Sequence, residues 1–251
     1  MNSMQITSKT NAKVKKWVKY HQKKYRMQDQ RYLIEGLHLL EEAKNAGVLE
    51  TIIVELGYPL PFTGYEVYEV SGEVMEKLRM HVSKEHYMGI CRMQEAALCE
   101  NVQRVILLDG LQDPGNVGTI IRTAYSFGFD AVVLSSNSVD LYGDKLIRST
   151  QGALFHIPVF QNDLITVIAQ LKKQNIPVYG TALRGGKGLS AFMPVKAVAL
   201  VFGNEGNGVS EAVLNACDQN IFIEMESFES LNVAVAAGIC MYHMRGNVHA
   251  S

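Results

Sequence analysis

The sequence has few cysteines, few prolines, one tryptophan and no long hydrophobic run, and each shortage removes a class of protein. Its four cysteines, Cys91, Cys99, Cys217 and Cys240, show neither a CxxC nor a Cys/His spacing. That pattern argues against a disulfide framework and a zinc site, and it leaves reduced thiols without an assigned role. Six prolines and 21 glycines among 251 residues, with 47% hydrophobic and 20% charged, exclude disorder and collagen-like repeats. The longest apolar run, Val233–Tyr242, is about half of the roughly 20 residues that cross a bilayer, so no membrane span is expected. The basic start, MNSMQITSKTNAKVKK, has no apolar stretch behind it, which removes a secretory signal and sets an expected cytoplasmic location.

Excess charge of one sign is also missing overall, yet the balance is uneven along the chain. The formal net charge is −1. Residues 1–31 hold nine of the 24 Lys/Arg (Lys9, Lys13, Lys15, Lys16, Lys19, Lys23, Lys24, Arg26, Arg31) against one acid, Asp29, a local net of +8. The other 220 residues keep 15 basic side chains and 24 of the 25 acidic ones, a net of −9. Val14, Trp17, Val18, His21 and Tyr25 recur at helical spacing in this arm, so one helix is expected to dock by that stripe and show its lysines outward. The bland alternative is a solvated helix face. A membrane-surface helix would carry more Phe and Leu on the stripe, so contact of Lys15, Lys16, Lys19, Lys23 and Lys24 with a nucleic-acid backbone is favoured.

Residues 32–93 read as a small αβ unit: strands at Tyr32–Ile34, Thr51–Val54, Glu66–Val70 and Met88–Arg92, with helices at Leu37–Ala46 and Ser71–Met80. Residues 94–102 (QEAALCENV) look like a linker. Continuous apolar runs then suggest buried parallel strands at Val105–Leu108, Ala131–Leu134, Val178–Thr181, Ala197–Phe202 and Ile221–Ile223. Helices fit between them at Val117–Phe127, Leu164–Gln174, Ser210–Ala216 and Leu231–Met244. This is α/β with a mostly parallel sheet, whose ligand is expected at the carboxyl ends of the strands.

Three segments at those ends are unusual. In DGLQDPGNVGTIIRTAYSFGF, Asp113-Pro114-Gly115 makes a turn, Asn116 suits a helix N-cap, and Arg122 follows about two turns into the helix. Position alone leaves Arg122 as either a solvated charge or a group near the cleft. In LVFGNEGNGVS, Gly203, Gly206 and Gly208 surround Glu205 and let backbone approach a ligand closely, but the order GxxGxG on a late strand is not the dinucleotide fingerprint. RGGKGLS (184–190) likewise fails the phosphate-loop spacing and is expected to be a flexible loop. In IEMESFESLNVAVAAGICMYHM, a strand end leads through an acidic loop to a helix opened by Ser230-Leu231-Asn232. Its first amides could receive a ligand, or Ser230 could be only the N-cap.

With RSTQGALFHIPV (Arg148–Val159) between the first and second, these segments resemble in order and spacing the motifs of the SpoU/TrmH group of SPOUT RNA methyltransferases, over about residues 105–245. The front part, with YLIEGLHLLEEA at 32–43, is similar to the ribosomal-protein-like RNA-binding domain that many of these enzymes carry. The resemblance implies transfer of a methyl group from S-adenosylmethionine to a ribose 2′-hydroxyl of RNA, without a metal, and its domain order favours 23S ribosomal RNA over transfer RNA. It implies a substrate-binding domain at 1–95 and a catalytic domain at 102–251 with a C-terminal trefoil knot, an exception to the no-knot rule. It further implies a homodimer with the active site at the interface.

Residue by residue, the resemblance assigns catalysis to Arg122, Asn116, Glu205, Ser230 and Asn232. It assigns the cofactor to Thr181, Ala182, Leu183, Gly203, Ile223 and Leu231, and adds Arg148 to the RNA-binding lysines. Three departures fall on the cofactor loop: Glu224 stands where proline is usual, the loop to Ser230 is about one residue short, and Ala234 replaces a common serine. They spare Arg122 and the Ser230-Leu231-Asn232 run, so an active enzyme is expected. These residue types suit the reaction. A sulfonium methyl is already electrophilic, so the protein must align a weak nucleophile, assist loss of its proton and stabilise developing negative charge. The remaining alternatives are a non-catalytic RNA-binding protein and a base-methylating relative.

Overall fold

The computed structural model describes residues 4–182, 185–226 and 231–245. Its contacts divide the chain into two units, Met1–Glu95 with Tyr142–Phe155, and Ala96–Leu141 with His156–Ser251.

The first unit runs β1 (Met4–Ile6), α1 (Ala12–Lys19), α2 (Lys23–Asp29), β2 (Arg31–Glu35), α3 (Leu37–Asn45), β3 (Leu49–Glu55), β4 (Glu66–Val70), α4 (Gly72–Leu78) and β5 (Tyr87–Arg92). The sheet order is β1-β4-β3-β5-β2, with β4 parallel to both β1 and β3, and β5 antiparallel to β3 and β2. One side of the sheet packs Leu33, Ile53 and Met88 with Val14, Trp17 and Val74, so the apolar stripe of the basic arm does face the core.

The arm itself is two helices rather than the one expected. Tyr20 ends α1 by turning into the core, where it is 2% exposed and its hydroxyl donates to Asp29 Oδ2 at 2.9 Å. Buried Arg26 donates to the Tyr20 carbonyl across the break. A local pattern of apolar residues does not reveal such a turn, because the side chain that causes it is paid for by tertiary burial. Several arm cations also meet acids from later elements: Lys9–Glu73 at 3.4 Å, Lys13–Glu66 at 3.6 Å and Arg31–Glu50 at 2.5 Å.

The second unit begins with β6 (Arg104–Asp109), α5 (Pro114–Ser126) and β7 (Ala131–Leu134). The chain then contributes α6 (Asp144–Thr150) to the first unit, where Ile147 and Phe155 are buried with Tyr32, Ile34 and Leu40. It continues with β8 (Val159–Gln161), α7 (Leu164–Lys173), β9 (Val178–Thr181), β10 (Lys187–Gly188), β11 (Val198–Gly203), α8 (Glu211–Ala216), β12 (Gln219–Phe222) and α9 (Val233–Met244). The sheet order is β10-β12-β9-β11-β6-β7-β8, and every pairing is parallel. Val105, Leu107, Val133 and Val201 pack with Val167, Ile168 and Leu171 of α7. Truncating one of these leucines to alanine costs roughly 2–5 kcal/mol, so this layer dominates the rigidity of the sheet.

Residues 94–102 carry no helix or strand, as a linker would, although Ala96, Leu98 and buried Val102 pack against this core. One expectation needs correction here. Within RGGKGLS, Lys187 and Gly188 pair with β12, and Leu189–Ala191 forms a short 3-10 turn, because the Glu224 carboxylate accepts from the Ser190 amide at 3.2 Å and from its hydroxyl. Among the described residues no helix is long and apolar enough to cross a membrane. Three of the four thiols match an unreactive role: burial pushes Cys240 up to about 12 and Cys217 up to about 11, and Cys91 is fully buried, whereas Cys99 is exposed.

Candidate active site

Parallel strands expose their last main-chain groups on one edge of the sheet, and the loops that follow are where a ligand is expected. β6 and β11 lie side by side there, with Gly203 opposite Asp109. The loop after β11 is a tight turn closed by the Gly208 amide on the Asn204 carbonyl at 2.8 Å and the Gly206 amide on Asn204 Oδ1 at 2.9 Å. Asn204 also reaches the loop after β6, donating to the Gly110 carbonyl at 3.0 Å, while Asp109 accepts from the Ser210 amide at 2.8 Å. Gly203 has a concrete reason to lack a side chain: a Cβ there would overlap the Gly208–Val209 peptide. Gly208 closes the turn at φ +68°, a region open to glycine.

The start of α5 differs from the expectation that Asn116 is its N-cap. Asp113 is the cap, accepting the Asn116 amide at 2.8 Å, and Pro114 opens the helix, where its missing N–H costs nothing. Asn116 is thereby fixed in the first turn with its side chain left for other contacts. Its Nδ2 donates to Glu205 Oε1 at 2.6 Å, and its Oδ1 accepts from Asn232 Nδ2 at 3.0 Å. Asn232 caps α9, its Oδ1 accepting the Ala234 and Val235 amides at 2.9 and 3.3 Å. The amide orientations follow from this chain of bonds. Because the Asn232 oxygen is held by two amides, its nitrogen must donate to the Asn116 oxygen, and the Asn116 nitrogen is then directed at an acceptor-only carboxylate. Three sequence-predicted residues from three separate loops therefore form one hydrogen-bonded chain, Asn232–Asn116–Glu205.

The other assignments are distributed as follows. Thr181 and Gly203 end the adjacent strands β9 and β11, and Ile223 follows β12, which pairs with β9 through Ile221 and Thr181. Thr181 donates to the Val201 carbonyl at 2.9 Å, and the Ala182 amide donates to the Ile221 carbonyl at 3.0 Å. Leu231 is 39% exposed just before α9. Ser230 and Leu183 lie outside the described residues.

Arg122 is exposed and has no side-chain hydrogen bond or ion pair among the described residues. Six residues beyond Asn116, it stands about 9 Å along the α5 axis and about 120° around it, so it does not converge on the Asn116 chain. Arg148 donates to Asp144 Oδ2 from Nε at 3.0 Å and Nη2 at 2.8 Å, with its side chain 38% exposed. Of the arm lysines, Lys16 pairs with Asp29 at 3.1 Å and holds that carboxyl below the usual carboxylate range. Lys19 and Lys24 lie over the Tyr25 ring at 5.2 and 5.8 Å, and exposed Lys15 and Lys23 have no ionic partner among the described residues.

Sequence reasoning passed over Asp113, Asn204 and Asp109, which build the two loops. The Asp-Pro pair was a legible cap signal, since an N-cap acid before a first-turn proline is a preferred helix start. Asn204 and Asp109 act across 94 and 101 residues of chain, which no local pattern marks.

Comparison with known proteins gives a consistent result. Residues 103–242 match the SpoU rRNA Methylase family, and residues 11–85 match the MRM3-like substrate binding domain. The chain is 41% identical over 247 residues to the 23S rRNA (guanosine(2553)-2′-O)-methyltransferase RlmP of Bacillus subtilis, covering 96% of this chain and 99% of the relative. It is 31% identical over 254 residues to an uncharacterized tRNA/rRNA methyltransferase of Synechocystis, covering 96% and 93%. An AdoMet-bound rRNA methyltransferase from Sinorhizobium meliloti has the same fold, with a TM-score of 0.87 at 26% identity over 97% of each chain.

Proposed function

The chain belongs to the SpoU rRNA methylase family, and from that premise we propose that it methylates a ribose 2′-hydroxyl of 23S ribosomal RNA, with S-adenosylmethionine as methyl donor. The observation that carries this reading is the Asn232–Asn116–Glu205 chain, which ties the loops after β6 and β11 to the start of α9 at the carboxyl edge of the sheet. The strand ends fit the donor: Thr181, Ala182 and Ile223 are partly exposed there, beside a Gly203 that keeps the backbone close. Leu183 and Leu231 complete the proposed cofactor set. S-adenosylmethionine supplies an electrophilic methyl group when bound.

The protein's own part is to place and polarise the acceptor. Asn116, locked at both ends of its amide, orients Glu205, and the exposed Glu205 carboxylate is available to a ribose or cofactor hydroxyl. Asn232 caps α9, whose first amides favour partial negative charge, and Ser230 is assigned to the same site by its motif alone. Arg122 carries a permanent positive charge suited to the oxygen that loses its proton and to the adjoining phosphate.

Because Arg122 does not meet the Asn116 chain within one molecule, we assign it to the site of a second copy. Val235, Ile239 and Tyr242, exposed at 52%, 39% and 61%, make an apolar stripe at i, i+4, i+7 on α9 that supports this homodimer. RNA recognition is assigned to the first unit through Lys15, Lys19, Lys23 and Lys24. An RNA substrate of this kind supports a cytoplasmic site of action. The test is transfer from methyl-labelled S-adenosylmethionine to 23S rRNA and to transfer RNA, with the product mapped by resistance to alkaline cleavage. Methyl groups found on bases, or on transfer RNA alone, would overturn the reading.

A further inference from the structure

Within the first unit, Glu35 at the end of β2 is 5% exposed, and its side chain is 1% exposed. Its Oε1 accepts from the Ser83 hydroxyl, but Oε2 has no hydrogen-bond partner. His81 Nδ1 is equally buried and equally without a hydrogen bond. The two orphaned atoms face each other at 3.7 Å, and Asp144 Oδ2 of α6 lies 3.5 Å from the same nitrogen. Buried polar atoms are nearly always hydrogen-bonded, and a buried carboxylate is paired or binds a metal. These separations are too long for hydrogen bonds. They match what a central ion imposes: with metal–ligand distances of about 2.1 Å, tetrahedral ligands stand about 3.4 Å apart.

We propose that Glu35, His81 and Asp144 bind a divalent cation of the zinc class within the first unit. The three donor atoms lie within 4.8 Å of one another. One imidazole nitrogen and two carboxylate oxygens suit Zn²⁺, with a water as the fourth ligand, better than Mg²⁺ or Ca²⁺, which prefer all-oxygen shells. Arg148 donates to this same Asp144 Oδ2 at 2.8 and 3.0 Å and holds the carboxylate beside His81. Ser83 does the same for Glu35. Ligands from β2, the segment after α4 and α6 would clip the Tyr142–Phe155 excursion to the sheet of its own unit. These three residues belong to the first unit, whereas the proposed catalytic residues belong to the second.

The test uses untagged full-length protein in a Cys99→Ser background, which removes an exposed thiol. After treatment with a chelator, Zn²⁺ is titrated by competition with a chromophoric chelator. The expected result is one equivalent per chain, a Tm that rises with Zn²⁺, and affinity lowered at least about tenfold in both His81→Ala and Asp144→Asn. Should those variants fold poorly, Co²⁺ added to the unmutated site gives a visible tetrahedral spectrum that Zn²⁺ abolishes. No stoichiometric binding, binding equal in the variants, or no such Co²⁺ spectrum overturns the proposal.

Discussion

Replacing Arg122 separates an enzyme from a passive RNA binder and also tests how many chains build the site. Arg122 is exposed on α5 without a side-chain partner among the described residues, so alanine removes no hydrogen bond or ion pair among them. Arginine and alanine are both good helix formers, and an exposed substitution of this kind changes stability by less than about 0.5 kcal/mol. Tm should therefore stay within about 2 °C of the wild type. The loss of one preorganised charge-stabilising group lowers turnover by about 10²–10³, equivalent to roughly 2.7–4 kcal/mol in the transition state. Arg122→Lys should recover only part of this, since an ammonium does not reproduce the planar guanidinium fork.

The assay is incorporation of labelled methyl into 23S rRNA, with S-adenosylmethionine affinity measured separately by calorimetry. Its geometric arm is a mixing experiment. Arg122→Ala and Asn116→Ala chains, each inactive alone, are unfolded together and refolded. If the arginine serves the partner's Asn116, half of the dimers are mixed and each carries one intact site, restoring about a quarter of wild-type activity. If both residues served the same chain's site, mixing would restore nothing. Near wild-type turnover in Arg122→Ala would refute its role outright, and failure of the mixture would refute its action across an interface.

Gly203→Ala should displace the Gly208–Val209 peptide, lowering Tm by several degrees and weakening S-adenosylmethionine binding, because overpacking of this kind costs about 1–3 kcal/mol; calorimetry reads both. Changing Lys15, Lys19, Lys23 and Lys24 to Gln should flatten the slope of log K for RNA against log salt by up to about 3, at about 0.7 per phosphate contact for single strands, whereas the already paired Lys16 should add little. The Ser190 hydroxyl beside Glu224 holds that carboxyl below its usual range. A depressed pKa means the clamp is intact above the ordinary glutamate value and is lost as pH falls through the lower, folded one. The Ser190 amide resonance should therefore move only in that acidic range, and should not titrate in Glu224→Gln.

Some of this protein was already present in its amino-acid order. The run Ala131–Leu134 is a strand from end to end as read, because a strand buried on both faces must be apolar at every position, and Val178–Thr181 is a strand with the bounds read for it, although its positions alternate between buried and half-buried. The alternation of Glu66–Val70 likewise marked β4. The residues of the Asn232–Asn116–Glu205 chain were identifiable one by one from their motifs, though nothing local showed that they bond to one another. Tertiary structure alone decided matters that depend on chain segments far apart. It bent the basic arm at buried Tyr20, and set Glu50, Glu66 and Glu73 against cations that looked free. It also drew Asp144 into the first unit beside Glu35 and His81, across more than a hundred residues of sequence from Glu35. Hydrogen-bond periodicity and capping act over a few residues and leave a local trace. The pairing of charges and the enclosure of a polar cluster are selected by burial after the chain has folded back on itself, and they leave none.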